Sequence, residues 1–157
     1  PTDIGVAFQL GVLYYRAERL DEAKAEFERA ILFNDNYSNA RYFLGLIWDQ
    51  KGDRDGALSQ FVKILRLNPG NDEVTFLLAR THARLGDRRA AVALLEGYLE
   101  AHPDRPWAIG YLSQLDVESG DPGRGRLLAG RYVALTGRAW EPIQEPTARP
   151  RRGSSGP

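Results

Sequence analysis

Few of the 157 residues in this chain are of a type that does chemistry. Cysteine is absent, which removes disulfides, thiolate metal sites and cysteine nucleophiles. The two histidines, His82 and His102, have no third ligand at a metal-binding spacing. No serine has a histidine and a carboxylate arranged near it in the sequence. Asp21-Glu22 falls at an expected helix start, where carboxylates complement the helix dipole, so the pair reads as solvated charge. Gly120 to Gly125 has the glycine spacing of a phosphate loop. Arg126 and Leu127 then stand where lysine and a hydroxyl residue are needed, and a helix precedes the run instead of a strand. The expectation is no catalytic residue, no metal and no cofactor.

Charge narrows the range of partners. Lys and Arg total 21, as do Asp and Glu, for a formal net charge of zero. That argues against a partner held by bulk electrostatics, such as a nucleic acid or an anionic membrane. The local clusters Arg80, Arg84, Arg88, Arg89 and Arg124, Arg126, Arg131 read as solvated faces. No apolar run reaches the roughly 18 residues of a membrane span, so no direct membrane span is expected. The compartment stays open between cytoplasm and periplasm.

The positioning elements come from an internal period of 34 residues. Leu10-Gly11 recurs as Leu44-Gly45, Leu78-Ala79 and Leu112-Ser113. Ala23 recurs as Ala57 and Ala91. Phe27 recurs as Phe61 and then Leu95. Gly52, Gly86 and Gly120 form a column, each followed by Asp. Every unit reads as two helices and a turn. In unit two the first helix runs from about Ser38 to Lys51. Gly52 suits its C-terminal cap, Asp53 the next N-cap, and Asn68-Pro69 the stop near Leu67.

These columns resemble the tetratricopeptide repeat, with its pattern W-x2-L-G-x2-Y, A-x3-F, P. Unit one carries Leu10, Gly11, Tyr14, Ala23, Phe27 and Ala30, but has Asp35 in place of proline. Unit two carries Leu44, Gly45, Trp48, Ala57, Phe61 and Pro69. Unit three keeps Leu78, Ala91 and Pro103, with His82 at the aromatic place. Unit four is degenerate, with Gly125 for the alanine and Gly137 for the proline. The resemblance implies an all-α, right-handed solenoid of four helix hairpins over residues 4–139, with units 4–37, 38–71, 72–105 and 106–139. Gly123, Gly125 and Gly130 predict that the last helix is the weakest. Residues 140–157 form an extended or disordered tail with Arg149, Arg151, Arg152 and a Gly-Ser-Ser-Gly run. Trp140 is the tail's candidate contact.

In this family the first helices line the concave face. Phe8, Tyr42 and Phe76 recur there at the repeat period, joined by Val12, Tyr15, Phe43, Leu46, Leu77, Arg80, Arg84, Trp107, Tyr111 and Gln114. A helix apolar on more than one face expects cover on each. The resemblance therefore implies a non-catalytic interaction scaffold that takes a peptide or amphipathic helix in this groove. The alternative function of these aromatics is to wedge between neighbouring first helices. Phe8, Val12, Phe43, Glu73 and Leu77 occupy places where chaperone-tail binders carry a carboxylate clamp, which argues against that role. Arg80 and Arg84 could still meet one acidic group. The opening stretch Pro1 to Gly11 also resembles repeat segments that follow bacterial O-antigen-polymerase-like membrane proteins. That implies, as an alternative, an accessory subunit or soluble domain of a larger bacterial membrane or cell-envelope assembly, its tail pinned by neighbouring subunits. Self-association through the groove is a further option.

Overall fold

At five helix starts a short polar side chain takes otherwise free backbone N–H groups. Asp3 Oδ1 accepts from Gly5 N at 2.9 Å, Asp53 from Gly56 N at 2.8 Å, and Asn71 from Val74 N at 3.0 Å. Asp87 and Asp121 do the same for Ala90 N and Arg124 N. Pro106 and Pro122 occupy first-turn positions, where a missing N–H costs nothing. A computed structural model describes residues 3–144. Among them eight helices follow one another: α1 (Ile4–Arg16), α2 (Leu20–Phe33), α3 (Ser38–Gln50), α4 (Arg54–Leu67), α5 (Asp72–Arg84), α6 (Arg88–Ala101), α7 (Pro106–Glu118) and α8 (Pro122–Thr136). They stack as four hairpins in the all-α solenoid expected, with no strand among the described residues. The tail residues Arg149, Arg151 and Arg152 and the Gly-Ser-Ser-Gly run lie outside the described residues.

Within each hairpin a small residue on the first helix receives a side chain from the second. A Cβ at Gly11 would come within 2.6 Å of the Phe27 ring, and one at Gly45 would overlap the Phe61 ring. In unit three the pair is Ala79 with Leu95, both fully buried. The larger residue on α5 is matched by a smaller one on α6, so the hairpin volume is kept. Unit four carries the close approach elsewhere. A Cβ at Gly125 would meet Val117 Cγ2 at 2.6 Å, and Ser113 Oγ donates to the Gly125 carbonyl at 2.7 Å. The absent alanine methyl thus brings α8 down onto α7.

The core is built at the junctions between units. Ala7, Ala23, Phe27 and Ala30 meet Ala40, Leu44 and Ile47 of unit two. Ala57, Phe61 and Ile64 meet Val74, Leu77 and Leu78 of unit three. Ala91, Leu95 and Tyr98 meet Ala108, Tyr111, Leu112 and Leu115 of unit four. Asp35, which stands where the repeat has proline, has a purpose in the first junction. Arg41 is 3 % exposed. Its Nε donates to the Asp35 carbonyl at 2.7 Å, its Nη2 pairs with the Asp35 carboxylate, and its Nη1 donates to Gln60 Oε1 at 2.9 Å. A buried guanidinium needs such partners.

Candidate functional site

The face made by α1, α3, α5 and α7 carries the aromatic column. Phe8, Tyr42 and Phe76 are each half-buried, and each reaches into the following unit. The Phe8 ring lies 5.3 Å from Tyr37 and 5.9 Å from Phe43. Tyr42 donates its hydroxyl to Glu73 Oε1. Phe76 meets Trp107 edge-on at 5.9 Å and Tyr111 at 5.6 Å. These rings wedge between first helices and keep part of their surface open. Burial, aided by the Glu73 hydrogen bond, pushes the Tyr42 hydroxyl up to about 12, so it stays a neutral donor across the physiological range.

The other expected residues divide by depth. Val12, Tyr15, Phe43, Leu46, Trp107 and Gln114 are half-buried. Tyr15 packs edge-on to Phe43 at 5.2 Å and accepts from Gln50 Nε2 at 2.9 Å. Leu77 is 7 % exposed and Tyr111 2 % exposed, so both support the face from beneath. Arg80 and Arg84 turn toward the chain's own Asp49. Arg84 Nη1 lies 2.5 Å from Asp49 Oδ2, and Arg80 Nη2 lies 3.7 Å from it. The Arg80 guanidinium also sits 5.7 Å from the centre of the Phe76 ring. Asp49, an acidic group that both arginines meet, belongs to the chain itself.

The chain returns to this face after α8. Gly137 ends that helix in the left-handed region, at φ 73°, and the Thr136 hydroxyl accepts from Arg138 N at 3.3 Å and donates to Tyr132 O at 2.8 Å. The non-helical strap that follows lies over α7. Trp140 meets Tyr132 edge-on at 5.3 Å and crosses Gly110. Gln114 uses both ends of its amide on the strap. Its Oε1 accepts from Trp140 Nε1 at 3.2 Å and from Ile143 N at 2.9 Å. Its Nε2 donates to Ile143 O at 3.1 Å and to Glu118 Oε1 at 2.9 Å. Beside the strap is a hollow of about 450 Å³, walled by Phe76, Trp107, Trp140 and Ile143 and rimmed by Asp72 and Glu73. Sequence reasoning missed Gly110 and Ile143. The signal for Gly110 lay in the aromatic column itself, which reads Phe8, Tyr42, Phe76, Gly110.

Among the described residues no group of three His, Cys, Asp or Glu could hold a metal ion, and no helix is long and apolar enough to cross a membrane. His82 Nδ1 lies 3.9 Å from Asp87, and the His102 ring packs 4.6 Å from Tyr98.

Helix hairpins at a 34-residue period, with an apolar first-helix face, define a helical-repeat scaffold. Two models of the tetratricopeptide repeat match, one over residues 8–72 and one over 50–109, and the chain belongs to this family. Such domains generally mediate protein–protein interaction, bind protein or peptide partners and are typically non-catalytic. The chain is 32 % identical over 93 residues to the peroxisomal targeting signal receptor of Debaryomyces hansenii, a match covering 59 % of this chain and 15 % of the receptor. It is 36 % identical over 72 residues to cellulose synthase operon protein C of Pseudomonas fluorescens, covering 46 % of this chain and 6 % of that protein. The chain thus spans a small part of the length of the curated relatives it matches. Among solved structures, MamA superposes with a TM-score of 0.77 at 14 % identity, over 86 % of this chain and 79 % of that one. YrrB, described as a TPR protein with an unusual peptide-binding site, gives 0.71 at 17 % identity, over 87 % and 70 %. At these identities the likeness is one of fold.

Proposed function

We propose that this chain is a non-catalytic interaction module whose repeat domain, residues 4–139, takes a peptide or amphipathic helix from a partner along its first-helix groove. The observation that carries this is the half-buried Tyr42 and Phe76 at the repeat period, with the 450 Å³ apolar hollow beside Phe76. A monomer that leaves apolar surface open in a concave site has a binding use for it. The groove is apolar along Val12, Tyr15, Phe43 and Leu46. Trp107 and Gln114 follow at the far end, and Arg80 and Arg84, paired with Asp49, lie between them. Two relatives' printed names agree with this kind of role, one a targeting-signal receptor and one a peptide-binding repeat protein.

The test compares the intact chain with a Tyr42→Ala, Phe76→Ala variant that circular dichroism finds helical. Each is used to capture partners from the source organism. A partner held by the first and lost by the second supports the groove. Equal retention moves the site to the outer helices. A second reading, as an accessory block within a larger bacterial membrane or cell-envelope assembly, is favoured by the match to a short part of cellulose synthase operon protein C. Co-sedimentation of the captured partner with membranes distinguishes the two.

A further inference from the structure

The first-helix column loses its side chain once. Phe8, Tyr42 and Phe76 are followed at the same period by Gly110, and the missing aromatic is supplied from outside the repeat by Trp140. A Cβ at residue 110 would collide with the six-membered ring of that indole, so glycine is what admits it. Gln114, one turn further along α7, then holds both main-chain groups of Ile143 and the indole N–H. Every polar capacity of its amide is used, three parts of it on the strap. Two of those three bonds go to backbone, which any peptide carries. Residue identity is read only by the space over Gly110 and by the apolar surround of Ile143, which packs in the same cluster as Phe76 and Tyr111. Pro142 lies between the two anchors, which suits a segment that is not helical.

We propose that Gly110 and Gln114 form a seat for a non-helical peptide segment with tryptophan at one position and an aliphatic residue three positions later. Residues 140–143 are its resident occupant, and a partner segment of the same pattern binds by displacing them. The proposal rests on the groove reading above and names the class of ligand for its last unit. Only Arg138 and Ala139 separate Gly137 from Trp140, so the resident segment has a high effective concentration, and a free peptide competes poorly until the seat is vacated.

The experiment titrates the full chain with a synthetic peptide of residues 138–144, Arg-Ala-Trp-Glu-Pro-Ile-Gln. It uses the unaltered protein and a Trp140→Ala, Ile143→Ala variant. The vacated chain should bind at least about tenfold more tightly than the unaltered chain. Binding should vanish when Gly110→Val is added or when the peptide's tryptophan is replaced by alanine. A helical vacated chain that does not bind, or equal binding by both chains, overturns the proposal. Amide exchange gives a reading that does not depend on how the double variant folds. The Ile143 N–H should be protected in the unaltered protein and released by Gln114→Ala, whereas free exchange in the unaltered protein overturns the seat. If the peptide fails while partner capture still depends on Tyr42 and Phe76, the seat falls and the groove reading stands. If capture fails while the peptide binds, the reverse holds.

Discussion

Glu18 holds φ at 58°, in the left-handed region, where the three later units place Gly52, Gly86 and Gly120 at φ 83°, 85° and 90°. A residue with a Cβ is strained there, and glycine is not. Glu18→Gly should therefore stabilise the chain by about 1 kcal/mol, after allowing for glycine's greater freedom in the unfolded state. Thermal melts of the two chains check this, with a Tm rise of about 2–4 °C expected. The same turn lacks the aspartate cap of the later units. Arg19 follows Glu18 and pairs with Glu22 at 2.6 Å instead of capping the helix. Arg80 and Arg84 make the complementary point about what residue types reveal. Their positions on the groove helix were legible, and their availability was not, because Asp49 lies a full repeat earlier on a different helix.

At the scale of the helix pair, the Gly–Phe, Gly–Phe, Ala–Leu progression is a volume-matched series. Gly45→Ala alone drives a methyl into the Phe61 ring and should cost about 1–3 kcal/mol. Phe61→Leu alone removes ring atoms from a fully buried site and should cost a comparable amount. Together they recreate the Ala79–Leu95 pair of unit three, so the double variant should be more stable than the sum of the two single losses. Chemical denaturation of all four chains measures the coupling, and strict additivity would contradict the matched-pair account. The hairpins were readable in the sequence because capping residues, turn glycines and buried alanines all repeat in register. Unit four is the instructive exception. Its Gly125 reads as decay of the repeat, yet it places α8 against Ser113 and Val117. Gly110 was equally visible in its column. Its occupant was not, because Trp140 belongs to a segment with no repeat partner, and no period points to a contact between a repeating column and a non-repeating strap.

For the whole molecule, zero net charge and arginines turned inward on Asp49 leave a partner to be held by apolar contact. Affinity for a groove ligand should then change by no more than about threefold between 50 and 200 mM salt, since screening acts mainly on exposed charges. A protein gripping phosphates through six to ten contacts would lose about 10³–10⁵ over that range. Titration at several salt concentrations separates the two. The solenoid order was legible from one chain because each unit touches mainly its neighbours, so local pattern and global architecture coincide. The matched Gly–Phe and Ala–Leu pairs also carry a lesson for rearranging the molecule. A chimera that joins α1 to α6 would set Gly11 against leucine and leave a void. One that joins α5 to α2 would set Ala79 against phenylalanine and leave no room. The two helices of a hairpin therefore have to be moved together, and a recombination seam does not belong at the turn inside one.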